Sequence, residues 1–348
     1  MKATTKTPAY TKPASSDNGR TIILATGSRP VVPDFLQPLG DCVLTTDTLF
    51  NREKLPRSIG IIGAGAVGLE MAVALSRLGV RVVAADLRSA PGGIVDPAIA
   101  ERAVLRFRED FSLWLGEPVQ VLAGPTGAEI RRAGEAELVE VVLAAIGRQP
   151  NVDALNLSKA GATPDAKGRF AVDQATLRLP GTSVFFAGDV HPDRALMHEA
   201  ADEGLIAARG ALAVLDDCPI QPNARRTPLA IVFADPDICS VGLPFDELDA
   251  ESTVIGVAEG TSNGRSRILH AESSLVRVYA RRADGLLLGA SLIAEHGEHL
   301  AHLIAWAVQR GETVRSLLEM PYYHPAVEEM LQSALKDAVR QIEGVPHL

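Results

Sequence analysis

Three glycines, Gly63, Gly65 and Gly68, fall in the spacing G-x-G-x-x-G, directly after the apolar run SIGII and at the head of the helical stretch AVGLEMAVALSRLG. The chemistry this order suits is the binding of a dinucleotide. Gly63 permits a tight turn, Gly65 lets the backbone approach a pyrophosphate, and Gly68 allows close packing of helix on strand, with free N–H groups facing the anion. Asp86 ends the next apolar run, VRVVAAD, about 20 residues further on, where a carboxylate accepts ribose hydroxyls and repels a 2′-phosphate. NAD is therefore favoured over NADP. Arg88, two residues later, would soften that preference, and reads more simply as an exposed surface arginine. A Gly-rich turn that holds no cofactor is the plain alternative, and strand, helix and acid together weigh against it.

Near the other end, His324 precedes Pro325, and Glu329 follows. A carboxylate beside an imidazole holds one tautomer and raises its basicity, and an imidazole is the usual proton carrier near neutral pH. The residues alone leave two readings, a His-Pro helix start with Pro325 in the first turn, or a proton-transfer pair. His296, His299 and His302 recur at i, i+3 and i+6. Only adjacent pairs on such a helix face one another, and no cysteine or established carboxylate completes a ligand set, so no metal is assigned and solvated or interface histidines are expected. Cys42, Cys218 and Cys239 are odd in number, far apart and in no C-x-x-C or C-x-x-x-x-C pair, the pattern of reduced thiols, with Cys239 expected to pack on a strand.

The elements that must position these residues follow from periodicity. TIILATGSRP, from Thr21, is a short strand ending in a turn. From Arg57 the order strand, Gly-rich turn, helix, strand, helix (Pro97 to Phe111) and further strands to AELVEVVLAAIG signals a parallel α/β sheet. TSVFFA, from Thr182, is another apolar strand, followed by Gly188-Asp189 and an Ala-rich helix from about Met197 to Leu215. After a linker, DDCPIQPNARRTP, four β-type runs (LAIVFA, TVIGVA, LVRVYARR, LLLGASLIA) precede two helical stretches, His296 to Arg310 and Pro325 to Gln341, which suggests an α+β domain.

Composition bounds the classes. With 47% hydrophobic and 22% charged residues over 348, the chain has the makings of two or three folded domains rather than disorder. A formal charge of −9 without a basic strip opposes nucleic-acid binding. The most apolar window, Ile61 to Val80, is interrupted by Glu70 and Arg77, so no membrane span is expected. Residues 1–20 show no export signal and read as a flexible polar tail, and the expected location is cytoplasmic.

Taken in order, ATG (Ala25, Thr26, Gly27), GAGAVG, AIGRQPN with Gly147, FFAGDV with Gly188 and Asp189, HEAADEG, DPDICSVG and YYHPAVEE resemble the pyridine nucleotide-disulfide oxidoreductase family, dihydrolipoamide dehydrogenases most closely. The resemblance implies an α/β fold in which a doubly wound, Rossmann-like NAD(H)-binding domain (46–177) is inserted in a truncated FAD domain (21–45 and 178–222), and a C-terminal α+β dimerisation domain (225–348) follows. It implies that Asp189 contacts the flavin's ribityl chain, that backbone near Met197 and His198 faces the isoalloxazine edge, and that ATG and Gly188 belong to the FAD site. His324 and Glu329 would be the catalytic pair, reaching across a homodimer towards a disulfide beside the flavin.

The family's first G-x-G-x-x-G and its C-x-x-x-x-C redox disulfide, roughly one hundred residues, are not found in the sequence. FAD binding is accordingly expected to be weakened or lost, or completed by a separate FAD- and cysteine-bearing polypeptide. Three readings stay open: an oxidoreductase passing electrons between NAD(H), FAD and a dithiol/disulfide; a noncatalytic NAD(H)-binding dimerisation module or half of a split enzyme; and a disulfide-independent NAD(P)H oxidase or transhydrogenase.

Overall fold

A computed structural model describes residues 19–344, so all but the end of the expected polar tail lies outside the described residues. The chain divides into two compact units, Met1–Arg29 with Gln149–Arg225, and Pro30–Arg148 with Arg226–Leu348. These boundaries differ from the expected 45/46 and 177/178. Val43 and Leu44 pair with Val142 and Leu143, which draws residues 30–45 into the larger unit. Leu157 and Ala162 pack against Leu179, Val184 and Phe186, which draws residues 149–177 into the smaller one.

The larger unit opens with a five-stranded parallel sheet in the order Val43–Leu44, Val141–Ala144, Ser58–Ile62, Arg81–Asp86, Ser112–Leu115. Its strands are apolar on both faces, as parallel strands covered on both sides must be. Ile59, Ile61, Val82, Ala84 and Leu143 meet the helices Ala66–Arg77 and Pro97–Phe107 through Leu69, Val73, Ile99 and Phe107. Ile62, Val83, Ala85, Val142 and Ala144 meet a small antiparallel sheet (Gln120–Gly124, Gly127–Arg132, Glu135–Val139) through Val121, Ile130 and Val139. The run AELVEVVLAAIG is thus divided at Glu140, one half serving each sheet.

The same unit continues as a five-stranded antiparallel sheet, Leu229–Val232, Asp237–Gly242, Leu287–Ala294, Leu275–Arg281, Thr253–Glu259, covered by the helices Gly297–Arg310 and Glu328–Glu343. DICSVG supplies a strand beyond the four expected runs, and on it Cys239 is buried, where desolvation pushes its thiol well above the usual range. Asp96 ties the two halves together. It caps Pro97–Phe107 by accepting the Ala98 N–H at 3.0 Å, and accepts Arg277 Nε at 2.8 Å and the Tyr279 hydroxyl at 2.6 Å. The second long helix starts at Glu328 rather than Pro325, whose peptide bond with His324 is cis.

The smaller unit is built on a parallel pair, Ile22–Leu24 with Val184–Phe186, under the helix Met197–Leu215. The helix lies close because Gly210 faces the Phe185 ring, and a methyl there would come within 2.5 Å of it. Among the described residues no helix is long and apolar enough to cross a membrane.

Candidate functional site

At the carboxyl end of the parallel sheet, the turn after Ser58–Ile62 enters Ala66–Arg77 with Gly65 as its N-cap and no side chain bonding the first helical N–H groups. The glycines are fixed by contact. A methyl on Gly63 would stand 2.4 Å from the Ala145 carbonyl oxygen, and one on Gly68 would stand 1.8 Å from that of Gly63. Gly63, Gly65, Asp86 and Gly147 line one cavity of about 720 Å³, together with Ile146 and Arg88, whereas Gly68 is buried and sets the helix's approach. Its size and the unbonded N–H groups suit an extended anionic cofactor.

Asp86 is engaged on both oxygens. Oδ2 accepts the Ala64 N–H at 2.8 Å and Arg88 Nη2 at 3.0 Å, and Oδ1 accepts the Arg88 N–H at 2.9 Å and Nε at 3.3 Å. Burial alone would raise its pKa, but the Arg88 side chain and the Arg88 and Ala64 N–H groups hold it below the usual carboxylate range. Arg88, expected as a surface arginine, is 59% exposed and yet lies across the acid whose ribose contact it was to leave alone.

In the smaller unit the ATG turn is held by Asn151, which donates to the Thr26 carbonyl at 3.0 Å and whose own carbonyl accepts the Thr26 hydroxyl at 2.9 Å. Ala25 and Gly27 flank that contact, and Gly27 has φ 67°. Asp189 Oδ2 accepts the Ser28 hydroxyl at 3.2 Å. Gly188 N–H donates to Glu203 Oε2 at 2.8 Å, and Glu203 Oε1 also meets His191 Nδ1 at 2.9 Å and Arg225 Nη2 at 2.8 Å. Arg225 further bonds Glu199 at 2.7 Å, while its Nε and Nη1 are buried without partners. Met197 and His198 are exposed at the head of their helix. The Glu203 group went unnoticed in the sequence; Glu199 and Glu203 both lie in HEAADEG, the one signal available.

In the larger unit His324 Nδ1 stands 3.0 and 3.1 Å from the two oxygens of Glu329, and Glu329 Oε2 also accepts the Ala326 N–H at 3.0 Å. His324 and then Ala326 hold Glu329 below the usual range. The imidazole is 78% exposed. Of the three spaced histidines, His296 and His299 stack at 6.1 Å and Glu298 joins them, whereas His302 turns to the Glu298 carbonyl at 2.7 Å. Burial, and then the neighbouring Glu298 carboxylate, push Asp237 up to about 7.

A parallel sheet whose Gly-rich turn opens a cleft at its carboxyl edge, followed by an antiparallel α+β half, is the α/β architecture of the dinucleotide-binding folds. The chain belongs to the pyridine nucleotide-disulphide oxidoreductase family, which residues 4–204 match, while 229–335 match that family's dimerisation domain. The family uses FAD and NAD(P)H. The chain is 31% identical over 333 residues to a dihydrolipoyl dehydrogenase of Halobacterium salinarum, covering 91% of this chain and 68% of that one. A Mycobacterium tuberculosis NAD(P)H dehydrogenase (quinone) is 28% identical, with 94% of this chain and 69% of the relative covered. The crystal structure of LpdA from Mycobacterium tuberculosis superimposes with a TM-score of 0.79 at 26% identity, over 91% of this chain and 69% of that one.

Proposed function

We propose that the protein takes part in electron transfer between NAD(H), FAD and a dithiol/disulfide as a homodimer, with NAD(H) in the Gly63–Asp86 cleft and His324–Glu329 as the proton-transfer pair. The observation that carries this reading is the exposed His324 imidazole with Glu329 bonded to its Nδ1. Glu329 fixes the ring and leaves Nε2 to take a proton from a thiol and return it. In the cleft, Gly63 and Gly65 admit the pyrophosphate to the helix N-terminus and Asp86 meets the adenosine ribose, with Gly147 giving open backbone beside them. Gly68 acts beneath, by setting the helix on the strand.

The smaller unit has polar groups that fit a flavin: Asp189, beside Ser28, for the ribityl hydroxyls, the ATG turn of Ala25, Thr26 and Gly27 with Gly188, and the N–H groups at Met197 and His198 for the ring edge. FAD, when bound, supplies the two-electron carrier between nicotinamide and disulfide. The three cysteines of the sequence are free, and Cys239 is buried, so the dithiol comes from outside these 348 residues. Exposed Trp306, Leu303, Met320 and Tyr323 supply an apolar surface for the partner in the dimerisation domain.

The test is the visible absorption spectrum of the purified protein before and after anaerobic NADH. A flavin band that bleaches, with dihydrolipoamide-linked turnover falling by about 10²–10⁴ in His324→Ala while NADH affinity holds, is expected. Turnover unchanged in that variant removes His324 from the mechanism. The free cysteines favour one other reading, a noncatalytic NAD(H)-binding dimer, and a colourless protein that binds NADH would establish it.

A further inference from the structure

His296, Glu298 and His299 each offer a ligand atom, and these atoms lie within 4.8 Å of one another, the one such group of three among the described residues. The group sits where the strand Leu287–Ala294 turns into the helix Gly297–Arg310, away from the glycine turn and the His324 pair in sequence. His296 has φ 54°, a left-handed conformation uncommon outside glycine and of the kind held at functional positions. It brings the His296 ring against that of His299, with an angle of 25° between their planes. Glu298 Oε1 stands 3.4 Å from His299 Nε2, and the Glu298 carboxylate also faces that of Asp237.

We propose that His296, Glu298 and His299 form a binding site for a borderline divalent cation, with zinc as its type. Two imidazoles and a carboxylate, with the fourth position left to water, are a donor set that zinc takes. Bonds of about 2.0–2.1 Å place tetrahedral ligand atoms about 3.4 Å apart. The Glu298–His299 pair already has that spacing, and the exposed imidazoles close the remainder by turning about their side-chain bonds. A helix N-terminus carries roughly half a positive charge, which opposes a cation. Here the Glu298 N–H is already turned to Asp237 Oδ2 at 3.3 Å, and the Glu295 carboxylate stands nearby. The bound ion would hold the helix start against its strand. His302, turned to backbone, is outside the site.

The full-length protein, freed of metal by a chelator, is titrated with zinc chloride by calorimetry near neutral pH. One saturable zinc per chain is expected, with affinity lowered about tenfold or more in His296→Ala, His299→Ala and the shape-preserving Glu298→Gln, and unchanged in His302→Ala. Zinc should also raise the thermal midpoint of the wild type and His302→Ala but not of His299→Ala. Cobalt(II) in the wild type should give the strong visible bands of a four-coordinate site, a readout that needs no variant to fold. Absence of saturable zinc binding, binding that survives both histidine substitutions, or the weak bands of six-coordinate cobalt would each overturn the proposal.

Discussion

In the larger unit the glycine-turn cleft is shaped by backbone and apolar side chains beside Asp86, Arg88, Glu117 and Arg148, whereas in the smaller unit Glu199, Glu203, His191 and Arg225 join four ionisable side chains in one buried hydrogen-bonded group. The cleft depends on what is absent, the Cβ atoms at Gly63 and Gly68. The buried group depends on what is present, since each charge offsets the desolvation of the next. A cleft of the first kind tolerates changes of charge and fails on a methyl group. A cluster of the second kind tolerates small changes of shape and fails when one partner is removed.

The largest effect is expected from Glu203→Ala, which leaves His191 and Arg225 without their shared carboxylate. Breaking a buried pair in this way costs about 3–5 kcal/mol, read as a lower urea midpoint. A loss below about 1 kcal/mol would mean that water already shares the group. The pH dependence sharpens the point. Burial would raise the Glu203 pKa, but His191, the Gly188 N–H and Arg225 hold it below the usual glutamate value. A carboxyl lowered on folding adds stability above its unfolded pKa, and that stability is lost as pH falls through the lowered value. The stability gap between wild type and Glu203→Gln should therefore narrow in acid, and a gap constant with pH would show that shape rather than charge sets it.

Gly68→Ala comes next. Its methyl would meet the Gly63 carbonyl oxygen at 1.8 Å, so helix and turn must separate. Overpacking of this kind costs about 1–3 kcal/mol, and a displaced turn should weaken NADH binding about tenfold or more, both measurable by thermal melting and fluorescence titration. Loss of stability with unchanged NADH affinity would separate the turn from the cofactor.

This contrast also explains what the sequence made legible. The glycine turn could be read because its constraints are local: a strand, a fixed spacing and a helix specify it within a few residues. His191 and Arg225 lie 12 and 22 residues from Glu203, and no spacing rule joins them. The strand Asp237–Gly242 was legible only through Cys239, expected to pack on a strand, because its Asp, Cys and Ser interrupt the apolar alternation that marks the other four runs. His324 and Glu329 were legible as neighbours, but the helix expected to carry them begins only at Glu328, and it is the Glu329 side chain that reaches back to His324 and the Ala326 N–H. At the spaced histidines, no sequence rule gave His296 its positive φ, which places its ring beside that of His299.

The smallest effect is at Arg88. Its guanidinium and N–H occupy Asp86 from within the cleft, so a ribose hydroxyl must compete with them for the carboxylate, and a 2′-phosphate would find a cation beside it. The acid alone favours NADH, and the arginine pulls the other way. Arg88→Ala should leave the fold intact, because the Ala64 N–H still holds Asp86, and should move the NADH to NADPH affinity ratio towards NADH by about tenfold, some 1.4 kcal/mol. Asp86→Ala should move the ratio the opposite way, and the double variant tests whether the residues act as one unit, since neighbours in contact are not additive. A ratio that Arg88→Ala does not move would mean that the guanidinium swings clear when the cofactor enters. Specificity would then rest on Asp86 alone.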